Sequence, residues 1–425
     1  MTLQFGCSIG AASLRGHGCR AESSRISPYA VGHGAAPVNV CNAGVVGASM
    51  NGPAPRLFLI IATGQSVANF LPLLHVGEPG DRICLLLTDA VNAEVAAGSL
   101  EPLRQRGFEC EIHPQRLPAD LSLVQAWFEH WLPQPPFRGC SWVLVANGGT
   151  KVLLLAIAQA LEGQLAEIVY GEGEPVSVLR LPGGRVGQAV RERPAGRALT
   201  LHDVLACTGY AVLDRGGRQK PARLLWRGGR RLDTLQEPAP WFMTAQACNA
   251  AYSYGVEGGP NTFGDAFEAA VAHRVLAHLD TRPSWHDVVG EGWMGVQITR
   301  PREQEPAADW DVLLVLRNGV LLNVECKTGQ ATQKELDSRW HAMRESSSQL
   351  ATMWLCSPLP TAWADQPWFA KLHGHRDRAF ALHRPHLAWT LPAQKLSYWL
   401  DGRKFTVPSF EVQLDELMRP YLPSD

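Results

Sequence analysis

The sequence predicts an α/β protein in two parts: a parallel, doubly wound N-terminal sheet of Rossmann type, then a second α/β domain. Three observations carry this. From Arg56 to about 175, apolar runs of strand length alternate with helix-period segments, the pattern of strand–helix units around a parallel sheet. From about 255 the order changes to helix, three strands, helix, strand. The 425 residues are 46% apolar and 19% charged, enough for packed cores in more than one domain.

The elements follow in order. Residues 1–55 are rich in Gly, Ala and Ser, end in Asn51-Gly52-Pro53-Ala54-Pro55, and are expected to form a poorly ordered extension. A first domain is expected over 56–175. Leu57–Ala62 is a continuous apolar run, hence a buried strand. Ser66 caps a helix reaching Leu74. Ile83–Leu87 is a second buried strand, followed by one helix near Val91–Arg106. Cys110–His113 is a third strand, Leu121–Trp131 a helix and Trp142–Ala146 a fourth strand. Asn147-Gly148-Gly149-Thr150-Lys151 then opens a helix to about Leu161, and Ile168–Tyr170 is a fifth strand. A connecting region, 176–254, holds strand-like Val176–Leu181 and Thr200–Tyr210, a short capped helix ending at Gly209. The last domain, 255–425, starts with a helix from about Thr262 to Leu279. Strands follow near 294–299, 310–316 and 320–327, then a helix over Arg339–Gln349 and a strand over Thr352–Cys356.

Composition narrows the function. Lys+Arg is 39 and Asp+Glu is 40, a formal net charge of −1, so overall basicity does not drive nucleic-acid binding and any such contact is a local patch. No apolar run reaches the ~18 residues of a membrane span. Ten cysteines are widely spaced without a CxxC pair, which argues against a zinc site or a disulfide framework. No basic start followed by an apolar stretch marks a secretory signal. The expected location is the cytoplasm, with reduced thiols.

The stretch from Asp309-Trp310-Asp311 to Val324-Glu325-Cys326-Lys327 carries the chemistry. Two apolar runs flank Asn318-Gly319, a hairpin signal. A two-residue loop would set Asp311 opposite Cys326. A three-residue loop, Arg317-Asn318-Gly319 with Gly319 left-handed, pairs Leu316 with Val320 and sets Asp311 across from Glu325. Lys327 and Asp309 then share that face. The three-residue loop is favoured because it gathers the charges together. Two carboxylates and a lysine on apolar strands are expensive to bury unless a cation is bound. Asp311 and Glu325 are hard oxygen ligands suited to Mg²⁺ or Mn²⁺. Lys327 can position a water or stabilise developing charge, and Glu268 can add a carboxylate. The alternative is a plain hairpin with a Glu325–Lys327 surface pair.

Asp311-x13-Glu325-x-Lys327 on a hairpin, preceded by a helix with Gly264-Asp265-Ala266-Phe267-Glu268, resembles the PD-(D/E)xK restriction-endonuclease superfamily. The resemblance implies a restriction-endonuclease-like α/β fold for the last domain. It implies metal-dependent phosphodiester hydrolysis of DNA or RNA, with Asp311 and Glu325 as metal ligands and Glu268, Asp311, Glu325 and Lys327 as catalytic residues. Asp309 matches an acid often found two residues before the aspartate.

Asn147-Gly148-Gly149-Thr150-Lys151 lies between a strand and a helix. Its glycines let N–H groups approach a ligand, and the helix start favours phosphate. It is neither a Walker A loop nor a GxGxxG fingerprint; an ordinary strand-to-helix turn is the alternative. With Thr63-Gly64-Gln65-Ser66-Val67-Ala68-Asn69 after the first strand, it resembles the CARF domain, the CRISPR-associated Rossmann fold. That resemblance implies a homodimer binding cyclic oligoadenylate across its two-fold axis, with cyclic tetra-adenylate the favoured activator. The matching positions are Gln65, Ser66, Asn69, Asn147, Gly149, Thr150 and Lys151, with Thr88 and Asp89 weaker. The two likenesses in this order resemble the cyclic-oligoadenylate-activated nucleases of type III CRISPR antiviral defence, in which ligand binding allosterically switches on the nuclease. The resemblance weakens beyond Lys327, where Glu345-Ser346-Ser347-Ser348 stands in place of a glycine-containing turn. A sensor module with an inactive nuclease domain is the alternative function, and a sensor that cleaves its own activator a third.

Other motifs weigh less. Arg378 and His383 form an RxxxxH string of the kind HEPN ribonucleases use, but without a helical-bundle context. Arg215–Arg231 holds seven basic residues and no acid; it reads as a solvated face or a guide for phosphates. His341 and Arg344 read as surface residues, with substrate contact the alternative. Cys326 is expected to pack away from the charged face.

Overall fold

The apolar strand-length runs become the centre of a parallel sheet. In the computed structural model the described residues run from 55 to 422, without 63–65, 90, 135–136, 138, 173–176, 184–189, 193–197, 214–220, 233–234, 236–259, 301–302, 304–305, 327–332, 348–350, 358–385, 390–395, 401–402 and 408. The expected extension therefore lies outside the described residues, apart from Pro55. Strands β1 (Arg56–Ile61), β2 (Arg82–Leu86), β3 (Glu109–Ile112), β4 (Ser141–Val145) and β5 (Leu165–Glu172) pair in parallel, in the order β3-β2-β1-β4-β5. Side chains of β1 alternate between two cores, as a strand's period of two requires. Phe58 and Ile60 meet Phe70 and Leu73 of α1 (Ser66–Val76). Leu57, Leu59 and Ile61 meet α4 (Val124–Trp131) and α5 (Lys151–Ala160) through Phe128, Leu153 and Ile157. Burial on both faces explains why these strands read as unbroken apolar runs.

The helix expected over Val91–Arg106 divides into α2 (Ala93–Ser99) and α3 (Glu101–Arg104). Pro102 is the reason: it is tolerated in a first turn but not in a helix interior. The connecting region contributes to both sheets. Strands β6 (Ser177–Pro182) and β7 (Val190–Glu192) extend the first sheet antiparallel. Strands β8 (Ala211–Val212), β9 (Arg223–Arg227) and β10 (Arg230–Arg231) join the second.

That second sheet has the order β10-β9-β11-β12-β13-β14-β15, with β8 also pairing β11. Its members are β11 (Val289–Thr299), β12 (Ala308–Leu316), β13 (Leu321–Cys326), β14 (Ala351–Ser357) and β15 (His386–Trp389). β11 starts earlier than its apolar pattern indicates because Glu291, polar yet 2% exposed, is buried against an arginine. A separate hairpin joins β16 (Leu396–Leu400) to β17 (Arg403–Val407).

Helix α7 (Pro260–Thr281) and the C-terminal α10 (Phe410–Met418) share one core with this sheet through Phe267, Val271, Phe410 and Leu414; the short α8 (Pro283–His286) adds Trp285 to it. The ion pair Arg274–Glu411 and a 2.8 Å hydrogen bond between His278 Nε2 and Asp415 Oδ1 fasten α7 to α10.

Helix α6 (Leu201–Thr208) joins the two sheets. Thr200 and Asp203 form its reciprocal N-terminal cap, and Gly209 ends it at φ 78°, as the TLHDVLACTGY string implies. Arg106 donates two hydrogen bonds, 2.9 and 2.7 Å, to the Asp203 carboxylate. On the other side, Leu201 N–H donates to Glu291 Oε2 at 2.9 Å. Glu291 also accepts from Arg227 and from Trp293 Nε1. One apolar core runs from Phe70 through Val204 and Leu205 to Leu313, Val315 and Met343. Among the described residues, no helix is long and apolar enough to cross a membrane.

Candidate active site and ligand cradle

Strands β12 and β13 form the hairpin that holds the acidic cluster. Gly319 takes φ 85° and its N–H donates to Leu316 O at 2.8 Å, while Leu316 N–H donates to Val320 O at 2.8 Å. Asn318 Oδ1 accepts Val320 N–H at 3.0 Å. This is the three-residue loop. The pairing then runs Val315↔Leu321, Leu314↔Leu322, Leu313↔Asn323 and Val312↔Val324. One step further sets Asp311 opposite Glu325. The main-chain ladder ends there, and Cys326 N–H donates to Asp311 Oδ2 at 2.6 Å.

Both carboxylates lie inside the protein: Asp311 is 8% exposed and Glu325 0%. Burial pushes the Asp311 carboxyl well above the usual carboxylate range. The charges of Glu325 and Glu268 push it further, against the Cys326 N–H bond. The half-buried Glu268 on α7 therefore bears on the same spot, as the helix motif implies. Asn323 Nδ2 lies 3.3 Å from Glu325 Oε2. Arg339 on α9 (Gln333–Ser346) sets Nε 3.4 Å from Glu325 Oε1 and donates through Nη1 to Asp309 O at 2.6 Å. Cys326 packs with Val324, Trp354 and Cys356 in the apolar core, and burial raises its thiol pKa well above the ordinary value.

A hard divalent cation fits this donor set. Two buried carboxylates face each other, and the neighbouring negative charge raises the cost of ionising Asp311. Among the described residues no group of three or more His, Cys, Asp or Glu side chains is arranged to hold a metal. A two-carboxylate seat is nonetheless the usual protein contribution to Mg²⁺ sites, where water and substrate phosphate complete the shell.

The sequence motif did not include Asn323 and Arg339. Asn323 reads as one polar residue within a strand. Arg339 lies 14 positions after Glu325, so only the fold brings it back. Lys327 lies outside the described residues, as do Arg378 and His383. His341 and Arg344 are exposed on α9, with Arg344 over the Trp340 ring. Within the basic run, Arg227 pairs with Glu291 and Arg231 with Asp280, so part of that charge is neutralised within the protein.

The second site lies where β1 has β2 on one side and β4 on the other. Such a switch point opens a crevice at the carboxyl ends of parallel strands. Asn69 is 1% exposed, and its Nδ2 donates to Ile61 O at 2.9 Å. A Cβ on Gly148 would fall 2.4 Å from Asn69 Oδ1 and 2.5 Å from Ile61 O, so only glycine admits this approach. Gly149 is left-handed at φ 82°. Thr150 caps α5, its Oγ1 accepting Leu153 N–H at 3.2 Å. Asn147 Nδ2 donates to Gly171 O at 2.7 Å, and Gly171 N–H donates to Asn147 Oδ1 at 2.8 Å.

The expected ligand contacts thus divide into two groups. Asn147 bonds to backbone through both its side-chain oxygen and nitrogen and Asn69 through Nδ2, because a buried strand end must satisfy its polar groups. Asn69 Oδ1 is buried without a hydrogen-bond partner among the described residues. Gly149, Thr150 and Lys151 form the rim of the cradle, with Thr150 and Lys151 exposed. Ser66 begins α1. Thr88 is half-buried at the end of β2, its carbonyl accepting from Arg116, and Asp89 beside it is exposed. Gln65 lies outside the described residues.

The turn of the hairpin touches the start of α1. A Cβ on Gly319, at the hairpin turn, would fall 2.6 Å from Val67 Cγ1 and 2.9 Å from Leu199 Cδ1. Val67 is the second residue of α1, directly after the loop that follows β1.

No protein-family model matches the sequence, and no curated protein matches it. Solved structures do match. Protein VC1899 from Vibrio cholerae is 14% identical, with a TM-score of 0.59 over 87% of this chain and 99% of its own. Can2 from Sulfobacillus thermosulfidooxidans, solved in complex with cyclic tetra-adenylate, is 14% identical, with a TM-score of 0.56 over 87% of this chain and 100% of its own. Both establish likeness of fold across both sheets. A type III CRISPR defence DNA nuclease activated by cyclic oligoadenylate is 18% identical over 72% of this chain and 45% of its own, at a TM-score of 0.44, too loose to bear on the fold.

Proposed function

We propose that this chain is a metal-dependent nuclease of type III CRISPR defence, switched on by cyclic oligoadenylate. One observation carries the reading: the three-residue turn that brings Asp311 face to face with Glu325, buried and beside Glu268. A buried acidic pair on apolar strands gains little as a structural device and much as a cation seat. The shared fold with Can2, a protein solved with cyclic tetra-adenylate, supports the ligand class.

In this reading Asp311 and Glu325 hold Mg²⁺ or Mn²⁺, which supplies charge to a phosphate and acidifies a water. Lys327 orients that water or stabilises the developing charge, and Glu268 assists from α7. At the other site the Gly148–Lys151 turn and the start of α5 take a phosphate of cyclic tetra-adenylate. Gln65, Ser66 and Thr88 complete that site. Val152 and Leu155, 58% and 69% exposed on α5 just beyond it, support a second copy of the chain packing there. The contact of the Gly319 turn with Val67 supports a route from ligand to hairpin. DNA and RNA are both open as substrates. We place the protein in the cytoplasm.

The test uses purified protein with Mn²⁺ or Mg²⁺, labelled single-stranded RNA and DNA and supercoiled plasmid, with and without cyclic tetra-adenylate. Cleavage should require metal and activator together, and Asp311→Asn and Glu325→Gln should each lower it by at least about a hundredfold. Full ligand-stimulated cleavage by Glu325→Gln would refute the reading.

A further inference from the structure

Arg339 is a cation that the acidic motif does not account for. Its Nε lies 3.4 Å from Glu325 Oε1, and Glu325 is 0% exposed. Its Nη1 is bonded to Asp309 O at 2.6 Å, so one guanidinium spans the carboxylate and the entrance of the neighbouring strand. Building on the nuclease reading, we propose that Arg339 is a positioning residue: the internal counter-ion that holds Glu325 until a divalent cation takes its place. Two observations support this. A buried carboxylate gains from an opposite charge beside it, and the Arg339 guanidinium lies against this one. A divalent cation on Glu325 would be repelled by a guanidinium at that distance, so metal and Arg339 compete for the carboxylate.

The same helix ties this contact to the sensing half. Glu345 and Ser346 lie six and seven residues beyond Arg339, roughly 10 Å along α9. Ser346 O accepts from Thr208 Oγ1 of α6 at 2.7 Å, and Glu345 lies 3.4 Å from Tyr210 Oη and 3.6 Å from Arg300. Helix α6 is in turn clamped through Asp203 to Arg106, in the turn after α3. Movement of α6 relative to the hairpin would carry Arg339 with it. Weakening of the Arg339–Glu325 contact by activator would then raise metal affinity, and by linkage metal would raise activator affinity.

The experiment measures Mn²⁺ affinity of the full chain by electron paramagnetic resonance, with and without cyclic tetra-adenylate. It compares wild type, Arg339→Gln, Arg339→Lys and Glu325→Gln. Without activator, Arg339→Gln should bind Mn²⁺ at least about tenfold more tightly than wild type. Activator should tighten wild type and leave Arg339→Gln unchanged. Arg339→Lys, which keeps the charge, should stay near wild type and reports on the charge without removing it. If Arg339→Gln binds no more tightly, or gains from activator as wild type does, the counter-ion role is overturned and the nuclease reading stands. If Mn²⁺ binding to activated wild type is absent, or indifferent to Glu325→Gln, the nuclease reading falls, and the counter-ion role with it.

Discussion

Replacing Gly148 by alanine forces a methyl group onto atoms that cannot yield. The added Cβ falls 2.5 Å from the backbone oxygen of Ile61, and 2.4 and 2.6 Å from Asn69 Oδ1 and Nδ2. The oxygen ends a central strand of the first sheet. The Asn69 amide can turn away only by giving up its 2.9 Å bond to that oxygen, inside a site 1% exposed. Overpacking costs about 1–3 kcal/mol, and an unpaired buried amide about 1–3 kcal/mol more. Together the loss is roughly 2–6 kcal/mol. Gly149, not Gly148, takes the left-handed conformation here, so the cost at Gly148 is steric. Urea unfolding followed by circular dichroism measures it. Gly264→Ala is the control, because nothing lies within 4 Å of a Cβ there. It lies within α7, so it should gain about 1 kcal/mol in helix propensity. Cyclic tetra-adenylate affinity, measured by calorimetry, should fall in Gly148→Ala and hold in Gly264→Ala. A Gly148→Ala protein within about 0.5 kcal/mol of wild type would refute the close approach.

Three more predictions concern named side chains. Lys151→Ala should lower cyclic tetra-adenylate affinity by about tenfold without moving the melting point, because Lys151 is exposed and acts through charge at a helix start. Thr150→Ala should in addition cost about 1 kcal/mol of stability through loss of the cap. Arg106→Gln should cost about 2–4 kcal/mol at neutral pH by stranding Asp203. Burial alone pushes the Asp203 carboxyl up, but Arg106 and Thr200 outweigh it and hold it below its usual value of 3.8. The stability from the charged carboxylate is therefore full above that usual value and lost as pH falls through the lower folded value. In Arg106→Gln the Asp203 carboxyl loses its main counter-charge and its folded value rises, so the stability deficit against wild type should narrow as pH falls, seen by circular dichroism between about pH 5 and 2.

The candidate site was legible where local chemistry decides it. The Asn318-Gly319 pair selects a turn, the turn selects a register, and the register sets Asp311 against Glu325. The Thr200–Gly209 helix announces itself by its own caps. The division of the Val91–Arg106 segment follows from Pro102, a local rule the helical periodicity conceals. Local reading does not show the backbone bonds of Asn69 and Asn147. Both donate to carbonyls near strand ends, because sheet packing leaves those groups needing partners.

The sequence by itself determined the strand–helix alternation, the buried parallel strands, the capped linking helix and the hairpin that pairs two carboxylates. Each is set by contacts a few residues apart or by side-chain period. Tertiary structure alone decided the rest. It split the 176–254 stretch between two sheets, buried Glu291 against Arg227, seated the Gly319 turn on Val67 and returned Arg339 to Glu325. These join residues far apart in the chain, through charges and shapes that become complementary only after the helices have packed. A motif can state which groups carry chemistry; which cation faces them, and what moves it, depends on how the chain folds back on itself.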